Sequence, residues 1–246
     1  GEGAIVPVIP LSVGELGGSV ALAALIVALI GIGSLLSNLP ASHITARWGE
    51  RWSLVGAALL SALGMLLCML AGTITLFAVG IFLIGMSAAV FELARQSYLT
   101  DAVPLHFRAR ALSTLGGSTR TGRFVGPFVA AGVIHLVGIA GAYAVGLASL
   151  LVAAAVATRM ADLPGQQTLR AAHDHTTTKL SSIARSHWRV FATVGIGALL
   201  VGAVRTSRQV IIPLWAQHIG LDATAISVIY GLSGAVDMLV FYPAGK

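Results

Sequence analysis

The chain has 246 residues, 57% of them hydrophobic and 10% charged, against about 25% charged in a soluble domain. A water-soluble fold of this composition would expose apolar patches far beyond the usual few hundred Å², so the chain reads as a membrane protein. Its net charge of +6 does not indicate nucleic-acid binding, because Lys and Arg fall in short connections between apolar runs, where they orient membrane helices. Cys68 is the single cysteine and lies in an apolar run, which leaves no disulfide framework and no cysteine-based metal site.

Residues 1–13 read as the outer half of a helix whose front part is expected to precede Gly1, with no cleavable signal peptide. Runs of about 20 residues, the length that crosses ~30 Å of hydrocarbon, follow at 20–41, 52–71, 74–98, 107–136, 139–159, 190–217 and 222–244. Turn signals separate them at Gly17-Gly18, Gly72-Thr73, 101–104 and 138–141. One partial and seven full spans predict an all-α, polytopic transmembrane bundle.

The connections near 14–19, 72–74, 136–141 and 217–222 contain no Lys or Arg. The alternate ones hold Arg47 and Arg51, then Arg108 and Arg110, then Arg159, Arg170, Lys179, Arg185 and Arg189. That alternation assigns the second set to the cytoplasm. Residues 160–189 are more polar than the rest, with Gln166-Gln167, Thr176-Thr177-Thr178 and Ser181-Ser182, and divide the chain into a bundle at 1–159, a cytoplasmic linker at 160–189 and the start of a second bundle at 190–246. Within the linker, 179–189 carries an amphipathic pattern that predicts a short surface helix. His173 and His175 flank Asp174. With no further ligand at helical or turn spacing they read as solvated residues, and no metal or other cofactor is expected.

The division coincides with an internal repeat. A shift of 203 positions superposes 9–43 on 212–246 with ten of 35 residues identical, among them Ile9-Pro10-Leu11 on Ile212-Pro213-Leu214, Gly17 on Gly220, Gly31 on Gly234 and Pro40-Ala41 on Pro243-Ala244. A duplication of this length in an apolar chain points to a transporter built from two like halves.

Six spans, a linker and a second copy of the same spans resemble the major facilitator superfamily. That family carries G-x-x-x-D-x-x-G-R-[K/R] after its second span. Here Ser42-His43-Ile44-Thr45-Ala46-Arg47-Trp48-Gly49-Glu50-Arg51 stands there; Gly49 and Arg51 match, while Ser42, Ala46 and Glu50 depart. The missing acid at position 46 removes the carboxylate that the resemblance assigns to the cytoplasmic gate. In the fifth span, Gly122-Arg123-Phe124-Val125-Gly126-Pro127-Phe128-Val129-Ala130-Ala131 is similar to the G-x-x-x-G-P-x-x-G-G signature of the proton-coupled drug antiporter branch. Gly122 and Gly126 permit close helix approach, as in any small-residue packing face, and Pro127 permits a bend. The fourth span has Ile81 and Phe82 where that branch often carries an Arg. The resemblance implies about eight of twelve helices here, a multi-pass protein of a bacterial inner membrane, and a small-molecule substrate with protons as the other partner.

A charge at bilayer depth costs at least ~2.5–3.5 kcal/mol on insertion scales and is a functional candidate by default. Arg120 and Arg123 lie roughly 18–22 Å past Arg108 along the fifth span at 1.5 Å per residue. Arg205 and Arg208 lie mid-way along the seventh span, Asp237 in the eighth, and Glu2 near mid-depth of the first. The three-residue spacing lets each arginine pair share one helix face, either lining a cavity or buttressing the two halves. Glu92 and Arg95 read as a local intrahelical pair. The excess of arginine predicts a cationic cavity suited to anionic or zwitterionic solutes. The 203-residue shift also superposes Glu2 on Arg205, which predicts that the two meet across the cavity in one state and part in another, so that Glu2 binds and releases a proton.

The expected activity is secondary active transport by alternating access, with proton-coupled efflux as the direction the signature implies. An uptake symporter and a non-transporting receptor or scaffold of the same fold are the alternatives. An enzyme is not expected, because His43, His106, His135 and His218 are scattered among loops with no ligand-like or catalytic spacing.

Overall fold

A computed structural model describes residues 1–160, 188 and 191–244, with the side chains of 39, 191, 198, 205 and 236–244 outside the described set. Among the described residues every regular element is helical. The first segment runs as α1 (Glu2–Ile5), a 3-10 turn (Val6–Val8) and α2 (Ile9–Glu15). Pro7 and Pro10 each remove a backbone donor, which breaks the i→i−4 ladder there. Then come α3 (Val20–Met69), α4 (Ile74–Ala102), a 3-10 turn (Leu105–Phe107), α5 (Arg108–Val137) and α6 (Ala140–Thr158). Beyond the linker, a π turn (Phe191–Gly195) leads into α7 (Ile196–His218), followed by α8 (Ala223–Ala244). The predicted linker helix and His173, Asp174 and His175 lie outside the described residues.

Two boundaries differ from the expected ones. The helix of the second span continues through Pro40 and the polar residues 42–48, predicted as a connection, and turns only at Gly49, with φ 83° and ψ 162°. Polarity ends a membrane span but not a helix; the corner requires a backbone conformation that glycine supplies. Similarly, α4 runs to Ala102. It stops where Val103 is extended, φ −113° and ψ 133°, because the residue before Pro104 avoids the helical region.

Five stretches are long and apolar enough to cross a bilayer: Val20–Asn38, Pro40–Met69, Ile74–Ala102, Ala140–Thr158 and Ala192–His218. α5 is long enough as well, but Arg108, Arg110, Arg120 and Arg123 make it the least apolar of the long helices. The chain is a multi-pass integral membrane protein.

The repeat is written into the backbone. Gly17 and Gly220 both have positive φ, 78° and 84°. Around them the hydrogen bonds correspond one for one: Leu16 N–H to Ser12 C=O matches Ile219 to Trp215, Gly17 to Gly14 matches Gly220 to Gln217, and Gly18 to Val13 matches Leu221 to Ala216. The next helix is capped alike, Ser19 Oγ accepting from Leu22 N–H at 3.2 Å and Asp222 Oδ1 from Ala225 N–H at 3.3 Å. Both are short polar caps of the kind that satisfy orphan helix donors.

The core lies between the first segment, both arms of α3, α4 and α6, where Ile5, Ile9, Ile26, Met65, Phe77, Ile81, Ile84 and Tyr143 are buried. Phe77 and Tyr143 meet edge to face at 5.9 Å. Ser12 Oγ donates to the Val8 carbonyl at 3.1 Å, so the 2.7 Å contact between Ser12 and Tyr143 is the phenol donating to the serine.

Candidate functional site

A half-open cavity of about 270 Å³ is lined by α1, the second arm of α3, α4, α5 and α6. Its wall residues recur at helical spacing: Ala57 and Ser61 on α3, Phe91 and Arg95 on α4, Thr119 and Arg123 on α5, Ser149 and Ala153 on α6. Residues four apart share a face, so each helix presents one face to the cavity. Ser61 lies 12 residues past the Gly49 corner and Thr119 lies 11 past Arg108, about 18 and 17 Å along their helices, which sets the cavity at mid-depth.

Four charged side chains line it: Glu2, Glu92, Arg95 and Arg123. Arg95 is bound on two sides, Nη2 to Glu92 Oε2 at 2.5 Å and Nη1 to Thr119 Oγ1 at 3.1 Å. Gln96 Nε2 donates to the other Glu92 oxygen at 3.0 Å. The buried Nε of Arg95 has no hydrogen-bond acceptor. Among the described residues, the Glu2 carboxylate and the Arg123 guanidinium have neither a hydrogen bond nor an ion pair. The local Glu92–Arg95 pair expected from sequence is present, but it reaches across to α5 and belongs to the cavity wall.

The start of α1 is wedged tightly against the helices that carry these groups. A Cβ on Gly3 would stand 3.0 Å from Arg123 Cα, and one on Gly126 would stand 3.2 Å from the Ala4 nitrogen. Gly122, by contrast, faces open space and lines the cavity. The two glycines of the fifth-span signature therefore differ in use: one admits α1, the other leaves room. Pro127 is buried, and beside it Phe128 packs onto α8 at Gly231.

The remaining sequence candidates are spread out. Arg120 is half-buried and Arg208 exposed, and neither lines the cavity. The side chains of Arg205 and Asp237 lie outside the described residues, so the expected Glu2–Arg205 meeting has no side-chain geometry here. Helix α7 packs on the first segment at Val6–Val8 and along α2.

At the Gly49 corner, Arg51 donates to the Thr158 carbonyl at the end of α6 and lies over the Trp52 ring at 5.4 Å. Glu50, noted in the sequence only as a departure, is buried and accepts from Ser97 Oγ of α4 at 3.1 Å. Its burial had no periodic signal, since it depends on how the glycine corner aims the next residue. Ser61 and Thr119 were also missed; the i, i+4 stripes of small and hydroxyl residues would have found them.

Comparison with known proteins places this geometry. The family model described as Major Facilitator Superfamily matches residues 1–246. No curated protein matches the chain significantly. Among solved structures, that titled "Crystal structure of D-xylose-proton symporter" is similar, with a TM-score of 0.71 and 15% sequence identity over 97% of this chain and 63% of that one. At this identity the likeness concerns the fold, and the chain spans less than two thirds of that protein's length.

Proposed function

The chain belongs to the major facilitator superfamily, and on that premise we propose that it works as a proton-coupled secondary transporter of a small molecule by alternating access. The observation that carries this reading is the mid-depth cavity with Glu2, Glu92, Arg95 and Arg123 in its wall. Groups so expensive to hold in a bilayer mark solute and proton paths, and two like bundles flanking a midplane site are the usual design of such transporters.

Glu2 is the proton carrier in this reading, and Arg205, its mate in the repeat, approaches it in another conformation. Arg120, Arg208 and Asp237 belong to the path as the halves exchange partners. Gly49 and Arg51, with Glu50, tie α3, α4 and α6 together at the cytoplasmic corner. Two features bear on direction. The Gly122–Pro127 stretch favours proton antiport by resemblance, but its glycines serve packing and space. The wall, with two guanidinium groups, favours a solute that shares the cavity with the proton, which is symport. We therefore place symport ahead of the efflux expected from the motif.

Reconstituted in liposomes, the protein is expected to accumulate solute against its gradient when an inward proton gradient is imposed. Glu2→Gln is expected to abolish that accumulation while leaving solute exchange at equal pH. Full gradient-driven accumulation by Glu2→Gln would refute the assignment of Glu2.

A further inference from the structure

The charged wall also identifies what is carried. We propose that the cavity binds a small monocarboxylate anion, held by Arg95 and Arg123, together with a proton on Glu2. This rests on the transporter reading above and adds the substrate class and the coupling stoichiometry.

The first argument is unfilled donor capacity. Guanidinium groups present five N–H donors in a planar fork suited to carboxylates. Arg95 uses one nitrogen on Glu92 and one on Thr119, which fixes the plane of the group. Arg123, across the cavity on α5, carries a second guanidinium with no anionic partner among the described residues. Ser61 adds a wall hydroxyl.

The second argument is charge. The groups facing Glu2 are Glu92 and Arg95 from α4 and Arg123 from α5; α3 and α6 present only neutral residues to the cavity. With Glu2 ionised the four side chains sum to zero. With Glu2 protonated they sum to +1, and a monoanion restores neutrality. A divalent anion would leave a negative charge, and a cation would face two arginines. Proton and anion therefore raise each other's affinity, and by linkage the effect is equal in both directions. A cation and a proton would compete, which is the electrostatic basis of antiport.

The test uses the purified protein in lipid nanodiscs with lactate, pyruvate and acetate as anionic probes, and D-xylose and tetraphenylphosphonium as neutral and cationic ones. At least one monocarboxylate is expected to bind with uptake of one proton from a weakly buffered solution, read by an indicator dye. Glu2→Gln is expected to bind the same anion with no proton uptake, because it fixes the neutral form. Arg123→Gln is expected to weaken anion binding about tenfold, the worth of one charge-assisted contact. Arg95→Lys, which keeps the charge beside Glu92 but loses the fork, is expected to weaken it similarly. Proton release on binding, or binding of tetraphenylphosphonium or xylose but of no anion, overturns this inference while leaving a transporter in place. Proton-driven accumulation of no probe in liposomes, with no binding of any, overturns the transporter reading with it.

Discussion

The same helices build two unlike places in the bundle. Toward the Gly17 end, α2, α4 and α6 meet through Ser12, Phe77 and Tyr143, a packed contact in which the single phenol is satisfied internally. At mid-depth, α1, α4, α5 and α6 meet around open space, with two carboxylates and two guanidinium groups in the wall. The first place is complete without a ligand. The second holds, in Glu2 and Arg123, a carboxylate and a guanidinium without a partner among the described residues. Stability and function are thus separated along the helix axes, although successive turns of α4 and α6 serve both.

If the separation holds, substitutions in the two places should have opposite signatures. The largest effect is expected from Glu2→Gln, with loss of all proton-driven accumulation in liposomes and a thermal midpoint in detergent close to that of the parent. Tyr143→Ala should do the reverse. Removing a buried aromatic costs about 3–5 kcal/mol, so its midpoint should fall steeply, while any surviving protein keeps its pH dependence. Tyr143→Phe removes only the hydrogen bond to Ser12 and should cost about 1 kcal/mol. Similar in size, Gly17→Ala and Gly220→Ala place a side chain at positive φ and should each cost about 1 kcal/mol by the same assay. Unequal losses would show that the repeat is kept in geometry but not in energetic weight. The smallest loss, about 0.5–1 kcal/mol, is expected from Arg51→Ala, which removes a cation from the carbonyl end of α6.

The sequence carries the architecture well, because each large feature rests on a local signal. Apolar run lengths locate the helices, and the repeat announces the paired glycine corners at 17 and 220. Where expectations shift, the deciding force is not apolarity. Residues 42–48 carry Ser42, His43, Thr45 and Arg47 yet are helical, and the chain turns at Gly49. The site is less legible. Spacing along single helices identifies Arg95 with Glu92 and Arg123 with Arg120, but not that α5 turns Arg123 and Thr119 toward α4 while Arg120 stays outside the cavity. Nor does apolarity distinguish a glycine that admits a helix from one that leaves a void. Gly126 and Gly122 look alike in the signature, yet a Cβ on Gly126 would meet the Ala4 nitrogen at 3.2 Å while one on Gly122 would meet nothing within 4 Å.

That void has a consequence of its own. Nothing stands within 4 Å of where a Cβ on Gly122 would be, so the capacity of the cavity is set there by an absent side chain. Alanine at this one position would fill part of it without meeting another atom within 4 Å. The position works as a size gauge that is independent of the electrostatics. A family of transporters could change the bulk of its cargo there, one methyl at a time, without rebuilding the machinery that couples cargo to proton.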